Sequence, residues 1–275
     1  MKICVTGNKG FIGRALQVEL QKQGFIVIGI DNWIFQREPW QEKLKDYLEK
    51  INPDAVFHIG ACSDTRNTNL QEMMKLNAES TFIISDWCKG NKVPLIYSSS
   101  ASVTGSNGSP ETLYAWTKFI GEKYVINSGG IALRYFNVYG TCEMHKGLMA
   151  SVAFQAYQKH KWGEKVYLFP KKPTRDFIYI NDVVEANIYA WNKYDELGGK
   201  WYDVGTGESR LFEDVLNIMD IPFEYEDEDK IPENYQFLTK ANPENFMSGW
   251  NPKFNLEDGI SQYKALLRVT TFSPY

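Results

Sequence analysis

Cysteine is scarce, and the four present, Cys4, Cys62, Cys88 and Cys142, are scattered without a CxxC pair. That spacing argues against a zinc cluster and against a disulfide framework, so reduced thiols and no metal site are expected. An excess of one charge is also missing. The 30 basic side chains stand against 34 acidic ones, a formal net charge of -4. Such a balance gives no electrostatic reason to expect nucleic acid or a membrane surface as partner. No apolar run approaches the length that spans a bilayer. The opening MKICVTGNKG enters a strand at once, so no secretory leader is expected and a cytoplasmic location is the simple reading. Internal repeats and low-complexity tracts are absent. What is present is an ordinary globular composition, 43% hydrophobic and 23% charged over 275 residues. That length suits one nucleotide-binding domain with a smaller appended lobe.

The first half alternates apolar runs with helical patterns. Strands are expected at Lys2–Thr6, Phe25–Ile30, Asp54–His58, Val93–Tyr97 and Ile131–Tyr135. Helices are expected from Phe11 to near Gly24 and over Trp40–Ile51, Leu70–Cys88 and Tyr114–Ile126. Continuous Val/Ile strands, each followed by a helix, point to an α/β fold with a doubly wound parallel sheet. The second half changes character. Gly147–Lys159 and Asp182–Asn192 read as helices, Lys165–Phe169 and Asp176–Ile180 as extended, and Trp201–Val204 as a strand. Phe212–Met219 and Leu256–Leu267 are later helices, and Glu224–Asn234 is an acidic loop. The expected division is a sheet domain over residues 1–147, with 176–205 contributing, and a discontinuous C-terminal α/β substrate-binding lobe over 148–275.

Thr6-Gly7-Asn8-Lys9-Gly10-Phe11-Ile12-Gly13 joins the first strand to the first helix. Gly7, Gly10 and Gly13 suit a tight turn that lets backbone N–H groups approach a pyrophosphate at a helix N-terminus. A packing turn without ligand is the bland alternative. Asp31 ends the second strand, where a carboxylate can accept from a ribose diol, which favours NAD. Arg37 is near enough in sequence to meet a 2′-phosphate, and the expected cofactor is NADP with NAD as the alternative. Ala61, Cys62 and Ser63 follow the third strand, where small residues let adenosine and ribose lie against the backbone. Tyr114 and Lys118 stand one helical turn apart, so both share a face. A tyrosine with a free pKa of about 10 needs such an ammonium neighbour to act near neutral pH. Ser98-Ser99-Ser100 ends the fourth strand, which places Ser100 to hydrogen-bond a sugar hydroxyl beside Tyr114.

Together, TGxxGFxG, the serine-ended strand and YxxxK resemble the extended short-chain dehydrogenase/reductase family, whose core is a Rossmann sheet. His58–Ser63, Arg134–Gly140, His145–Phe154, Arg175-Asp176-Phe177 and Tyr235-Gln236 are similar to its ADP-glycero-manno-heptose 6-epimerase branch. The resemblance implies a nucleotide-diphosphate sugar as substrate, a bound nicotinamide dinucleotide and a homo-oligomer. By that resemblance Phe11, Ile12, Asp31 and Asn32 line the cofactor with Ala61, Cys62 and Ser63, Asn77 sits near the nicotinamide end, and Val138 also touches cofactor. Tyr114 and Lys146 would be acid/bases on opposite faces of the sugar, with Lys118 the partner of Tyr114 and both lysines also at the cofactor. Asn137, Phe169, Arg175 and Tyr235 would contact substrate. The chain departs from the branch at Leu148, Gln155 and Phe169-Pro170-Lys171-Lys172, and its loop from Ser100 to Tyr114 is shorter. A UDP-hexose 4-epimerase is the runner-up. A 4,6-dehydratase is disfavoured because Ser99-Ser100-Ala101-Ser102 lacks the acidic pair. A non-catalytic dinucleotide sensor or scaffold is the reading from another class.

Overall fold

The structure is a computed structural model that describes residues 1–230 and 236–269. Its centre is one sheet of β1 (Lys2–Thr6), β2 (Ile26–Ile30), β3 (Ala55–His58), β4 (Leu95–Ser100), β5 (Ile131–Tyr135) and a sixth strand, Lys200–Val204. Reading across, the order is Lys200–Val204, β5, β4, β3, β1, β2, and every pairing is parallel. Alternate residues of each strand enter opposite layers. Ile3, Val5, Phe57, Ile96 and Leu133 join one core cluster, while Cys4, Val56, Tyr97 and Ala132 join the other. Both faces are covered, which is why the strands read as unbroken apolar runs. The chain leaves β1 for β2 on one side and returns for β3 on the other. This switch opens a crevice at the carboxyl ends of β1 and β3.

The helices carry the crossovers: α1 (Phe11–Lys22), α2 (Trp40–Ile51), α3 (Leu70–Met73), α4 (Ser80–Asn91) and α5 (Leu113–Asn127). Between α3 and α4 the expected single helix runs through a π-helical turn, Met74–Glu79. Such turns concentrate at functional sites, and this one carries Asn77.

Beyond β5 the chain builds three short ladders: Asn137–Tyr139 with Phe177–Tyr179, Thr174–Arg175 with Arg210–Leu211, and Tyr167–Leu168 with Glu224–Tyr225. These join α6 (Val152–Lys161) and the helices Phe212–Met219 and Leu256–Val269 in a second lobe. The helix expected over Gly147–Lys159 is divided. A 3-10 turn spans Met144–Met149 with Gly147 at φ 52°, and α6 restarts after Ser151, whose hydroxyl caps it by accepting from the Phe154 N–H at 3.2 Å. Part of the expected acidic loop is strand, at Glu224–Tyr225, and its residues 231–234 lie outside the described residues. Asp176, fully buried, fixes how the lobe meets the sheet. Its carboxylate accepts from the N–H groups of Thr206, Gly207 and Ala241. Among the described residues no helix is long and apolar enough to cross a membrane.

Candidate active site

A cleft of about 650 Å³ lies at the switch point. Gly7, Gly10, Phe11, Ile12 and Gly13 line it from the first turn, Asp31 and Asn32 from the end of β2, and Ala61, Cys62 and Ser63 from the end of β3. Tyr114, Lys118 and Lys146 complete it. Gly7 sits at φ 65°, and a Cβ there would fall 2.6 Å from the Gly60 Cα. A Cβ on Gly13 would fall 2.1 Å from the Gly7 carbonyl oxygen. These glycines are therefore required by backbone packing as well as by any ligand. The N-terminus of α1 has no side-chain cap and no acid in its first turn. Its first N–H groups open into the cleft, which fits a dinucleotide pyrophosphate. Asp31 accepts from the Lys9 N–H at 3.0 Å and from the Asn32 N–H at 2.8 Å. Arg37 lies elsewhere, in an outer pocket with Trp33, Lys43 and Tyr47.

Two expected cofactor residues are placed differently. Asn77 is 1% exposed and is absent from the cleft wall. Its Nδ2 donates to Thr117 Oγ1 at 3.1 Å, and the rest of its amide is engaged with the Cys62 backbone. Val138 lines a second cavity rather than the cleft.

Three consecutive serines of β4 face three side chains spaced one turn apart on α5. Thr112 caps α5, accepting from the Ala115 N–H at 3.1 Å, and so starts the helix one residue before Tyr114. The Ser100 hydroxyl lies close enough to the Tyr114 phenol to act on its pKa. Burial raises the Tyr114 pKa, and the Ser100 hydroxyl works in the opposite direction. Lys118 Nζ donates to Ser98 Oγ at 3.4 Å and stands 4.2 Å from the centre of the Tyr97 ring. Burial brings the Lys118 pKa down to about 7, while the Glu122 carboxylate pushes it up. Ser99 donates to Glu122 at 2.6 Å.

The second cavity, of about 620 Å³, abuts the cleft. Phe11, Ile12, Ser63, Ser99, Tyr114, Tyr135, Lys146 and Met149 line both. Lys146 approaches from the Met144–Met149 turn with its ammonium 5.3 Å from the Phe11 ring, and burial lowers its pKa. Ser100, Asn137 and Phe169 also line the second cavity. Asn137 Oδ1 accepts from the Thr239 hydroxyl at 3.1 Å. Arg175 is one ring removed from it: its guanidinium lies 5.6 Å from the Phe212 ring, which does line the cavity, and donates to the Thr174 carbonyl. Leu148 is 70% exposed and lies off the wall, whereas Gln155 lines it with an amide nitrogen that donates to the Leu148 and Ala150 carbonyls. Tyr235 lies outside the described residues.

Sequence reasoning missed Glu143. It is buried behind the Lys146 turn and accepts from the Gly140 and Ser151 N–H groups, the Ser151 hydroxyl and Tyr263. These bonds fix both ends of the loop that presents Lys146. Lys159, which lines the second cavity one turn after Gln155, was also missed. The spacing of α6 would have shown that the two share a face, had its start been placed at Ser151.

The chain is similar to known proteins in sequence and in fold. The chain is 32% identical to the ADP-L-glycero-D-manno-heptose-6-epimerase of Brachyspira hyodysenteriae, over 96% of this chain and 97% of that one. The crystal structure of the Helicobacter pylori ADP-L-glycero-D-manno-heptose-6-epimerase superposes with a TM-score of 0.84 at 26% identity, covering 98% of this chain and 96% of that one. The UDP-glucuronic acid 4-epimerase of Bacillus cereus, solved with UDP-glucuronic acid and NAD, shares the fold with a TM-score of 0.82 at 22% identity, covering 98% and 99%. Residues 3–205 match the NAD dependent epimerase/dehydratase family, and the chain belongs to that family.

Proposed function

We propose that this chain epimerises a nucleotide-diphosphate sugar by transient oxidation, with an ADP-glycero-manno-heptose as substrate and carbon 6 as the inverted centre. The observation that carries the reading is that two cavities of dinucleotide and sugar size share one wall, and that Tyr114 and Lys146 both stand in it. Bound NAD supplies the hydride acceptor and donor. Asp31 at the end of β2, with Arg37 in a separate pocket, supports NAD over the NADP expected from sequence.

The protein's part is proton transfer and orientation. The Tyr114 phenolate takes the proton of the sugar hydroxyl. Ser100 shares a hydrogen bond with that oxygen, and Lys118 holds the phenolate in its charged form. Lys146 serves as the second acid/base, with its turn held by Glu143. Asn137 and Phe169 contact the sugar nucleotide; Tyr235 is assigned to its diphosphate, and Arg175 would reach it only past the Phe212 ring. Ala61, Cys62, Ser63 and Asn32, which line the cleft, would hold the cofactor. The chain divides at about residue 147, with 176–205 returning to the sheet domain. Two copies pair through α4 and α5, whose outer face exposes Trp116 and Ile120.

Incubation with ADP-glycero-manno-heptose tests this. Inversion at carbon 6 without net change in reduced cofactor is expected. An unchanged carbon 6 beside inversion of a UDP-hexose at carbon 4 would move the assignment to the runner-up. No turnover of any nucleotide sugar by dinucleotide-loaded protein would leave the sensor reading.

A further inference from the structure

Beneath the acid/base pair lies a second, fully buried set of charges that proton transfer itself does not use. Glu122 is one turn beyond Lys118 on α5 and is 0% exposed. Arg134 of β5 grips it with two parallel bonds, Nε at 2.9 Å and an η nitrogen at 2.6 Å. Ser99 adds a third at 2.6 Å. Arg134 in turn lies 3.5 Å from the centre of the Trp201 ring and is in register with Asp203 on the sixth strand. A buried ion pair of this kind is weak evidence for stability, because apolar side chains of equal volume often do as well. Its position suggests another use.

Lys118 is itself 2% exposed. Its ammonium has one long hydrogen bond to Ser98 and the face of Tyr97. Neither carries a full negative charge. Burial favours the neutral forms of His58 on β3 and of Tyr114, and Cys62 and Lys146 line the same cleft. The Glu122 carboxylate opposes the loss of the Lys118 proton. We infer that Glu122 is a positioning residue for the Tyr114–Lys118 pair, its carboxylate clamped by Arg134 and Ser99 so that buried Lys118 stays an ammonium. The register of three serines against one helix face has this consequence: Ser100 tunes the phenol, Ser98 touches the ammonium, and Ser99 orients the anion behind it. The inference rests on reading Tyr114 and Lys118 as the acid/base pair.

The test reads Lys118 directly, without substrate. In dinucleotide-loaded protein carrying lysine labelled with carbon-13 at the ε position, the Lys118 signal is assigned by its absence from Lys118→Arg. Its titration midpoint is expected to fall by about one pH unit or more in Glu122→Gln, a tenfold change in the protonation constant. Glu122→Asp keeps the charge and is expected to hold the midpoint close to the unmutated value. Glu122→Met with Arg134→Met removes the pair together and is expected to move the midpoint down as well, by less because a cation leaves with the anion, even if Glu122→Gln does not fold. In turnover, the alkaline limb of the pH profile moves down with the Lys118 midpoint. A folded, cofactor-retaining Glu122→Gln or double variant whose Lys118 midpoint is unmoved would overturn the inference. A moved midpoint in a protein that turns over no nucleotide sugar would sink the functional reading instead and leave this one standing.

Discussion

Asn77 holds the backbone of Cys62 at both polar atoms: its Oδ1 accepts from the Cys62 N–H at 2.7 Å and its Nδ2 donates to the Cys62 carbonyl at 3.1 Å. An amide side chain is here acting as a neighbouring strand would, on a loop that has none. The π-helical turn presents that side chain toward the loop, and the same nitrogen reaches Thr117, whose hydroxyl donates to the Tyr114 carbonyl at 2.9 Å. The loop after β3 and the helix that bears Tyr114 and Lys118 are thus joined through one residue. Asn77→Ala leaves buried polar groups without partners, each costing about 1–3 kcal/mol. The expected result is a loss of about 2–4 kcal/mol in urea unfolding, with weaker retention of the dinucleotide through purification. Unchanged stability and cofactor content would contradict this role.

His58 is the second internal joint. Its Nδ1 lies 2.7 Å from Thr6 Oγ1 and its Nε2 lies 2.9 Å from Thr81 Oγ1. Thr81 gives its one hydroxyl proton to the Asn77 carbonyl, so it accepts from Nε2, and Nδ1 is left to accept from the Thr6 hydroxyl, whose oxygen also accepts from the Gly60 N–H. This order places the proton of a neutral ring on Nε2. Burial, with the Lys118 charge adding to it, pushes the His58 pKa down to about 3. The unfolded chain takes up a proton below about pH 6.5 and the folded chain does not. The His58 contribution to stability is therefore complete above that pH. It falls by about 1.4 kcal/mol per unit as the pH drops toward 3. Between pH 7 and pH 5, His58→Gln is expected to lose about 2 kcal/mol less than the unmutated protein. Parallel stability curves for the two would show that His58 is not held neutral.

The sheet was legible because its strands are buried on both sides and the runs at Ile3, Val56, Ile96 and Leu133 cannot be anything amphipathic. Tyr114 and Lys118 were legible because one helical turn relates them. Asn77 was placed at the cofactor, and its actual contacts depend on a π-helical turn that no periodicity announces. Lys146 gave no signal of its own from spacing. Its place depends on Glu143, Ser151 and Tyr263 meeting from three elements, a contact 120 residues apart in the chain. Arg37, near enough in sequence to Asp31 to leave the choice of dinucleotide open, lines a separate pocket beyond the 3-10 turn Asn32–Phe35, a position that sequence proximity does not show.

Asp31 is expected to decide between the two dinucleotides in the proposed site. Its carboxylate is held at the cleft by the Lys9 and Asn32 N–H groups. A ribose diol can donate to it, while a 2′-phosphate would meet a like charge. Hydrogen bonds to a charged group are worth about 1.5–3 kcal/mol, which corresponds to roughly 10- to 100-fold in affinity. Asp31→Ala is expected to weaken NAD by that factor and to narrow its advantage over NADP, measured by calorimetric titration of cofactor-stripped protein. Tighter NADP than NAD binding by the unmutated protein would reverse the assignment.

Tyr114 and Lys146 are the two proton-transfer groups of the proposal, and they are expected to fail in different ways. Tyr114→Phe keeps the ring that lines both cavities and removes only the phenol oxygen. Positioned acid/base groups contribute about 10²- to 10⁴-fold, so kcat is expected to fall by that much with cofactor and substrate still bound. Lys146→Met keeps the stem that packs over Phe11 and removes the ammonium. If the two groups serve opposite faces of the sugar, each variant retains the half of the reaction served by the other. Single-turnover measurement then separates them. One epimer is expected to be oxidised by Tyr114→Phe and the other by Lys146→Met, each seen as absorbance of reduced cofactor that does not decay. Both variants oxidising the same epimer at the same rate would mean that one group does all the proton transfer, and the two-acid/base scheme would not stand.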